Sequence, residues 1–298
     1  MSFFTKRVLH NFLLIYQISA IAVSCEPKND EDLVPSYLKI DKINVTSNES
    51  QGTNSSNITD AWVYLDETLI GSFELPCTVP ILSSGKQKIT IRPGIKLNGI
   101  SNTRAVYPFY KELKQEINLV KDSVININVN TSYEDNTDFP WLVDFEMDGS
   151  ALDTTSKSTV NFSRTNDPSL IFPESGNSYS AFVSMNKDSA IFEAVSTNHF
   201  EFPENGGYVF LELNYKINHP LVVGVYYTLD YQRLQRPMVT LNKTDEWKKI
   251  YINFSVIKYD TPAAKDFQIF IGAMKEDDVE EAVFQFDNLK LVRFNTAK

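Results

Sequence analysis

Residues 208–217, Tyr-Val-Phe-Leu-Glu-Leu-Asn-Tyr-Lys-Ile, carry the reading of the fold. Val209, Leu211, Leu213, Tyr215 and Ile217 point one way, while Glu212, Asn214 and Lys216 point the other. A period of two with one apolar side is the signature of a strand with one face on a core and one face wet. The pattern returns in residues 221–229, with Leu221, Val223, Val225, Tyr227 and Leu229 inward and Gly224, Tyr226 and Thr228 outward. Ile250, Ile252 and Phe254 continue it, leaving Lys249, Tyr251 and Asn253 on the opposite face. The last strand breaks phase, because Phe284 and Phe286 are even while Leu289 and Leu291 are odd, and a bulge at Asp287-Asn288 restores the register. No helical period of any length intervenes, so the expected fold class is all-β, with a β-sandwich over residues 139–298.

Upstream, short β-branched runs at 38–45, 61–65, 88–92 and 124–129 are separated by turn residues, which predicts a second, smaller β-sandwich over residues 37–130. Asp66-Glu67 suits a tight hairpin, Ser83-Ser84-Gly85 makes the next turn, and Pro93-Gly94 is expected to close the strand that follows. Residues 47–59 are almost entirely Asn, Ser, Thr, Gln and Gly and read as a mobile loop. Residues 131–138 lose the apolar alternation and read as the interdomain linker.

At the N-terminus, Lys6 and Arg7 precede an apolar run over residues 8–23 that ends in small residues before Cys25, the pattern of an export signal over residues 1–24. Ala22-Val23-Ser24-Cys25 resembles a bacterial lipobox, which implies a diacylglycerol on the Cys25 thiol and attachment to a membrane; the family prefers leucine where this chain has Ala22. The following Glu26-Pro27-Lys28-Asn29-Asp30-Glu31-Asp32, within an acidic tether over residues 25–36, resembles the tag that sends Bacteroidota lipoproteins to the outer face of the outer membrane. The formal charge is −10, and loss of residues 1–24 removes two cations and no acid, leaving −12. Nucleic acid is therefore excluded as a partner on charge. With Cys25 lipidated, Cys77 has no partner for a disulfide and reads as a small buried hydrophobe.

Val63-Tyr64-Leu65-Asp66, followed by Leu69-Ile70-Gly71, Pro76, Leu82, Gly85 and Lys88-Ile89-Thr90-Ile91, resembles the PEGA and carboxypeptidase-regulatory-like small sandwiches, which implies a spacer or binding module. In the C-terminal part, Val143-Asp144-Phe145-Glu146, Trp247-Lys248-Lys249 and residues 284–291 resemble the galactose-binding-like jelly roll of carbohydrate-binding modules. That resemblance implies a structural calcium held by a first-strand carboxylate and a last-strand aspartate, positions occupied here by Glu146 and Asp287. Calcium takes six to eight oxygen ligands, and a bulge beside two carboxylates frees carbonyls to supply some of them.

Glycan binding needs aromatic faces for pyranose rings and planar polar groups for their hydroxyls. The outward set Glu212, Asn214, Tyr226, Tyr251 and Asn253, with Tyr231 in the loop beyond, has that chemistry. Catalysis finds less support: the part after residue 24 keeps only His199 and His219, no G-x-S-x-G elbow occurs, and residues 276–281 lack the spacing that lines carboxylates along one strand face. Ser123, Thr154 and Ser189, each after an aspartate and before Val124, Thr155 or Ala190, resemble or approach Bacteroidota O-glycosylation sites. The expectation is a non-catalytic outer-membrane lipoprotein that docks another cell-envelope protein. The alternative is a glycan-binding accessory lipoprotein of a polysaccharide-uptake system, and a weaker one is a glycosidase.

Overall fold

The computed structural model describes residues 34–295 apart from residues 148, 150 and 175. The signal peptide, Cys25 and most of the acidic tether lie outside the described residues. Strands β1 (Ser36–Ile40), β2 (Ile43–Thr46), β3 (Asp60–Leu65), β4 (Thr68–Glu74), β5 (Cys77–Ile81), β6 (Gly85–Lys96), β7 (Arg104–Val106), β8 (Leu113–Leu119), β9 (Val124–Asn126) and β10 (Val129–Ser132) build the N-terminal unit. A sheet in the order β4-β3-β6-β7, with β8 also on β6, packs against two small sheets, β5-β1-β9 and β10-β2. Leu38, Ile40, Val63, Val79, Ile89, Ile91 and Leu119 fill the space between them. The hairpin at Asp66-Glu67 forms, with both residues at positive φ as a two-residue primed turn requires.

Pro93-Gly94 does not end its strand. β6 runs through both residues, because β8 pairs with it only as far as Ile91 and β7 takes over at Gly94. Pro93 falls in the gap between these two partners, where its missing N–H interrupts no ladder bond on that edge. Gly94 is needed there: a Cβ would stand 2.8 Å from the Asp60 Cβ and from the Trp62 ring.

The C-terminal unit comprises β11 (Thr137–Val143), β12 (Leu152–Thr154), β13 (Ser163–Thr165), β14 (Ser180–Met185), β15 (Ile191–Ser196), β16 (Val209–Ile217), β17 (Leu221–Leu229), β18 (Gln232–Leu241), β19 (Lys248–Asn253), β20 (Lys265–Met274) and β21 (Ala282–Phe294). One sheet runs β13-β14-β21-β16-β19 with β11 also on β21, and the other runs β12-β15-β20-β17-β18. Of the residues expected inward, Val209, Leu211, Leu213, Tyr215, Ile217, Leu221, Val223, Val225, Ile250, Ile252 and Phe254 lie in the shared core, Tyr227 is half-buried against it, and Leu229, at the hairpin end of β17, is outside it. The bulge forms as well. Glu212 faces Lys290 and Asn214 faces Asp287, so the ladder shifts by one, and Asn288 takes φ 52°. Phe284, Phe286, Leu289 and Leu291 thereby all reach the core.

Two loop readings change. Half of the expected linker is strand: Thr131 and Ser132 belong to β10, Thr137 and Asp138 to β11, and Tyr133 between them is buried. Residues 47–59 are indeed not a strand, but they are tied down as a strap across the C-terminal sandwich. The Thr53 carbonyl accepts from Lys290 Nζ at 2.8 Å, the Ser55 hydroxyl from Asn214 Nδ2 at 2.8 Å, and Asn57 donates to the Tyr251 hydroxyl and the Lys249 carbonyl. The strap is polar on both counts: Thr53, Ser55 and Asn57 meet polar partners, while Asn48, Glu49, Ser50 and Asn54 are exposed to water.

Tyr107, Phe109, Tyr110 and Tyr133 from one unit meet Phe210, Tyr251 and Val292 from the other in a third core at the junction. Tyr107 packs edge-on to Phe210 at 5.4 Å between centroids and against Tyr251 at 4.7 Å. Offset and edge-to-face pairs of this kind add about 0.5–1.5 kcal/mol each beyond area burial. A polar, wet domain boundary would permit relative motion; this one is an aromatic core and holds the two sandwiches together.

Candidate functional site

The first sheet of the C-terminal sandwich is covered on the face that alternation made wet. Glu212 is 0% exposed, Tyr251 1% and Asn214 2%, because the N-terminal sandwich and its strap lie over them. Glu212 accepts the Tyr107 hydroxyl at 2.6 Å and the Tyr133 hydroxyl at 2.9 Å, and its carboxylate pairs with Lys249 Nζ at 2.6 Å. Burial alone would raise its pKa, but the Lys249 and Lys290 ammonium groups and these hydrogen bonds bring it below the usual carboxylate value. The Tyr251 hydroxyl sits 3.2 Å from that of Tyr110, and the Asn253 N–H donates to Asn98 Oδ1 at 2.8 Å. Of the six residues with glycan-reading chemistry, Glu212, Asn214, Tyr251 and Asn253 therefore serve the domain junction. Strand alternation identifies the side of the sheet; it cannot say what covers that side.

Tyr226 and Tyr231 belong to the second sheet, whose outer face carries a different cluster. On β17, Gly224, Tyr226 and Thr228 face away from the core. Tyr226 lies opposite Gln268 on β20 and Gln235 on β18, and Glu193 on β15 lies opposite Gly272. The Tyr226 hydroxyl donates to Glu193 at 2.9 Å and accepts from Lys157 Nζ at 2.5 Å. Glu193 also accepts from Gln235 Nε2 and the Thr155 hydroxyl, each at 2.9 Å. Burial works to raise the Glu193 pKa, and these donors with Lys157 overcome it, so the carboxylate titrates below its ordinary value. Arg233 donates to Gln268 Oε1 at 2.8 Å while its guanidinium lies 4.3 Å above the Tyr226 ring. Tyr231 stands fully exposed at the tip of the β17–β18 hairpin, where Asp230 and Tyr231 both take positive φ. Glu193, Gln235, Gln268 and Lys157 escape a reading based on Tyr226 alone. The signal for Glu193 and Gln268 is a lone polar residue between apolar neighbours, as in Ile191-Phe192-Glu193-Ala194 and Phe267-Gln268-Ile269; Lys157 lies in the loop after β12 and carries no such signal.

Glu146 and Asp287 are both gripped by the loop before β14, through different atoms. Glu146 Oε1 accepts the Ser178 and Tyr179 N–H groups at 2.8 and 2.9 Å. Asp287 accepts from the Ser180 hydroxyl, from Asn177 Nδ2 at 3.1 Å and from the Asn288 N–H at 2.7 Å. Asn177 Nδ2 also donates to the Phe172 and Tyr179 carbonyls. The oxygens are the hard donors that calcium takes, but here they face N–H and O–H groups, so a cation would enter only as Asn177 turned away. Among the described residues no group of three or more His, Cys, Asp or Glu side chains is placed to hold a metal. Burial pushes the Asp287 carboxyl up to about 7.

The remaining marked residues are separate from these clusters. Ser123 donates to the Val120 carbonyl, Thr154 to Asn161, and Ser189 is buried at 8% exposure beside Asn186. Cys77 is half-buried and free, and burial raises its thiol pKa.

No protein-family model and no curated protein matches the sequence. Solved structures do. A family 11 carbohydrate-binding module of a Clostridium thermocellum cellulosomal cellulase matches 52% of this chain and 94% of its own at 16% identity and TM-score 0.32. A family 61 module in complex with β-1,4-galactotriose matches 48% of this chain and 86% of its own, at 16% identity and TM-score 0.31. A Clostridium thermocellum xylanase with a family 22 module, in complex with xylohexaose, matches 54% of this chain at 13% identity and TM-score 0.37; this chain spans only 29% of its length. At such identities and TM-scores the likeness assigns no residue a role.

Proposed function

We propose that this chain is a glycan-binding accessory protein of the cell surface, attached through a lipid on Cys25, with the outer face of the second sheet as its binding surface. The observation that supports this reading is the Tyr226–Glu193–Gln235–Arg233–Gln268 cluster on that face, while the face opposite is sealed by the N-terminal sandwich. Carboxylate, amide and guanidinium groups held in fixed geometry read sugar hydroxyls, and the exposed Tyr231 ring offers an apolar platform at the edge. Gly272 places no side chain on β20, and at Gly224 on β17 the space is taken by the Phe270 ring, which lies 5.4 Å from that of Tyr226.

Glycan-array screening of the full chain, followed by calorimetry on any hit, tests the proposal. Arg233→Ala and Gln235→Ala, both at exposed positions, are expected to weaken binding about tenfold or more with the melting temperature unchanged. A glycan whose affinity ignores both changes would refute the assignment of this face.

A second reading, docking of another cell-envelope protein, is favoured by one observation: Tyr231 and Arg233 stand exposed side by side on the same hairpin, and Tyr and Arg are the residue types that anchor protein interfaces. Affinity purification from gently solubilised membranes separates the two. A stoichiometric protein lost on Tyr231→Ala would favour docking over glycan capture.

A further inference from the structure

A cleft of about 870 Å³ opens between the two sandwiches, away from the sheet face just described. Its upper wall is the strap and the β6–β7 turn, contributing Ser56, Asn98 and Ser101; its lower wall is the β18–β19 loop, contributing Asn242 and Thr244. The volume falls in the range of small-molecule sites, about 300–1,000 Å³. Trp247, half-exposed and packed edge-on to Phe172 at 5.4 Å, forms one end.

The charge of this lining runs against that of the molecule. In a chain of formal charge −10, Lys96, Lys243, Lys248 and Lys249 line the cleft and no aspartate or glutamate does. Lys96 is paired with Glu74 and Lys249 with Glu212, but Lys243 and Lys248 make no ion pair among the described residues. Asp245 and Glu246 share their loop, yet neither lines the cleft. A second observation is independent of charge. Asn214, 2% exposed, lines the cleft floor; its amide nitrogen is used by Ser55, while its Oδ1 has no hydrogen-bond partner. A buried, unpaired amide oxygen costs about 1–3 kcal/mol and is relieved by a donor such as a hydroxyl.

We infer that the interdomain cleft is a second ligand site, for a saccharide bearing a carboxylate or sulfate group, with Lys243 and Lys248 on the anion, Asn214 Oδ1 on a hydroxyl and Trp247 against a ring face. This does not rest on the sheet-face reading. It gives the N-terminal sandwich a part in recognition, since neither domain alone forms both walls. The two anionic groups differ in source, uronate or sulfated glycan, and share the chemistry that the lysines supply.

The test uses the full chain with trigalacturonate, a sulfated galactan oligosaccharide and a neutral galactose trisaccharide as probes, read by tryptophan fluorescence and calorimetry. At least one anionic probe is expected to bind, at least tenfold tighter than the neutral one, and to weaken as salt rises. The Lys243→Ala/Lys248→Ala double variant should bind it about five- to tenfold more weakly with an unchanged melting temperature. Trp247→Phe should abolish the fluorescence change, and Arg233→Ala on the sheet face should leave binding intact. The proposal is overturned if neither anionic probe binds, if the neutral trisaccharide binds equally, or if the double variant binds like the parent. Loss of binding in Arg233→Ala but not in the lysine variant would move the anionic site to the sheet face and also overturn it.

Discussion

Glu212 on β16 accepts the Tyr107 hydroxyl at 2.6 Å across the domain boundary, so a carboxylate on the outward side of a strand is the polar centre of a dry junction. Its other partners, Tyr133 and Lys249, come from both sides of that boundary. Removing the carboxylate strands a buried ammonium and two phenols together. Glu212→Ala is expected to destabilise by about 3–5 kcal/mol, the range for breaking a buried pair. Urea denaturation with tryptophan fluorescence should show one transition for the parent and two separated ones for the variant. A single transition at an unchanged midpoint would mean that the aromatic contacts alone couple the domains.

Asp287 and Lys290, three residues apart on β21, are pushed in opposite directions by the same cause. Burial raises Asp287 from 3.8 to about 7, and burial, with Lys249 nearby, lowers Lys290 from 10.5 to about 7. A raised carboxyl means the folded state holds a proton that the unfolded chain has lost, so stability falls as pH rises from about 4 to 7. A lowered lysine means the unfolded chain holds the extra proton, so stability rises from about pH 7 to 10.5. Together they predict a stability minimum near neutrality, with each limb amounting to a few kcal/mol at about 1.4 kcal/mol per pKa unit. In calcium-free buffer, Asp287→Asn should flatten the acid limb and Lys290→Met the alkaline one. Melting curves across pH check both.

The same Asp287 gives the calcium proposal a direct readout. Calcium added to the full chain is expected to raise the melting temperature above pH 7 and to be reversed by chelation. Asp287→Asn should remove the response. A parent protein indifferent to both calcium and chelator would leave Asn177 and Ser180 as the complete partners of this carboxylate.

Gly224 is fixed by packing rather than by conformation. A Cβ there would stand 2.2 Å from the Arg236 carbonyl oxygen and 2.7 Å from the Phe270 ring. Gly224→Ala should therefore cost about 1–3 kcal/mol by overpacking, although alanine suits a strand better than glycine. Chemical denaturation would settle the sign, and a stabilised variant would contradict the close approach of β18.

The anchor is tested by fractionation. Cys25→Ala should release the protein from membranes, and retention of the variant there would end the lipid-anchor proposal.

Alternation in residues 208–217, 221–229 and 250–254 determined the all-β class, the inward set and even the bulge at Asp287-Asn288, because a period of two and its interruption are local properties of the chain. The turn at Asp66-Glu67 was legible for the same reason. Pro93-Gly94 misled because whether a proline breaks a strand depends on which neighbours need its N–H, and β7 and β8 lie 10 to 26 residues further along. The strap at residues 47–59 and the fate of Glu212, Asn214, Tyr251 and Asn253 were decided only in three dimensions. Alternation sorts a strand's residues into two faces, but water or a second domain can lie on the outer one, and the groups that settle the matter, Tyr107, Tyr133, Ser55 and Asn57, are 79 to 194 residues away from their partners. The polar face around Tyr226 and the lysine-lined cleft were hidden for the same reason: each is assembled by strands or loops that meet only when the sheets close.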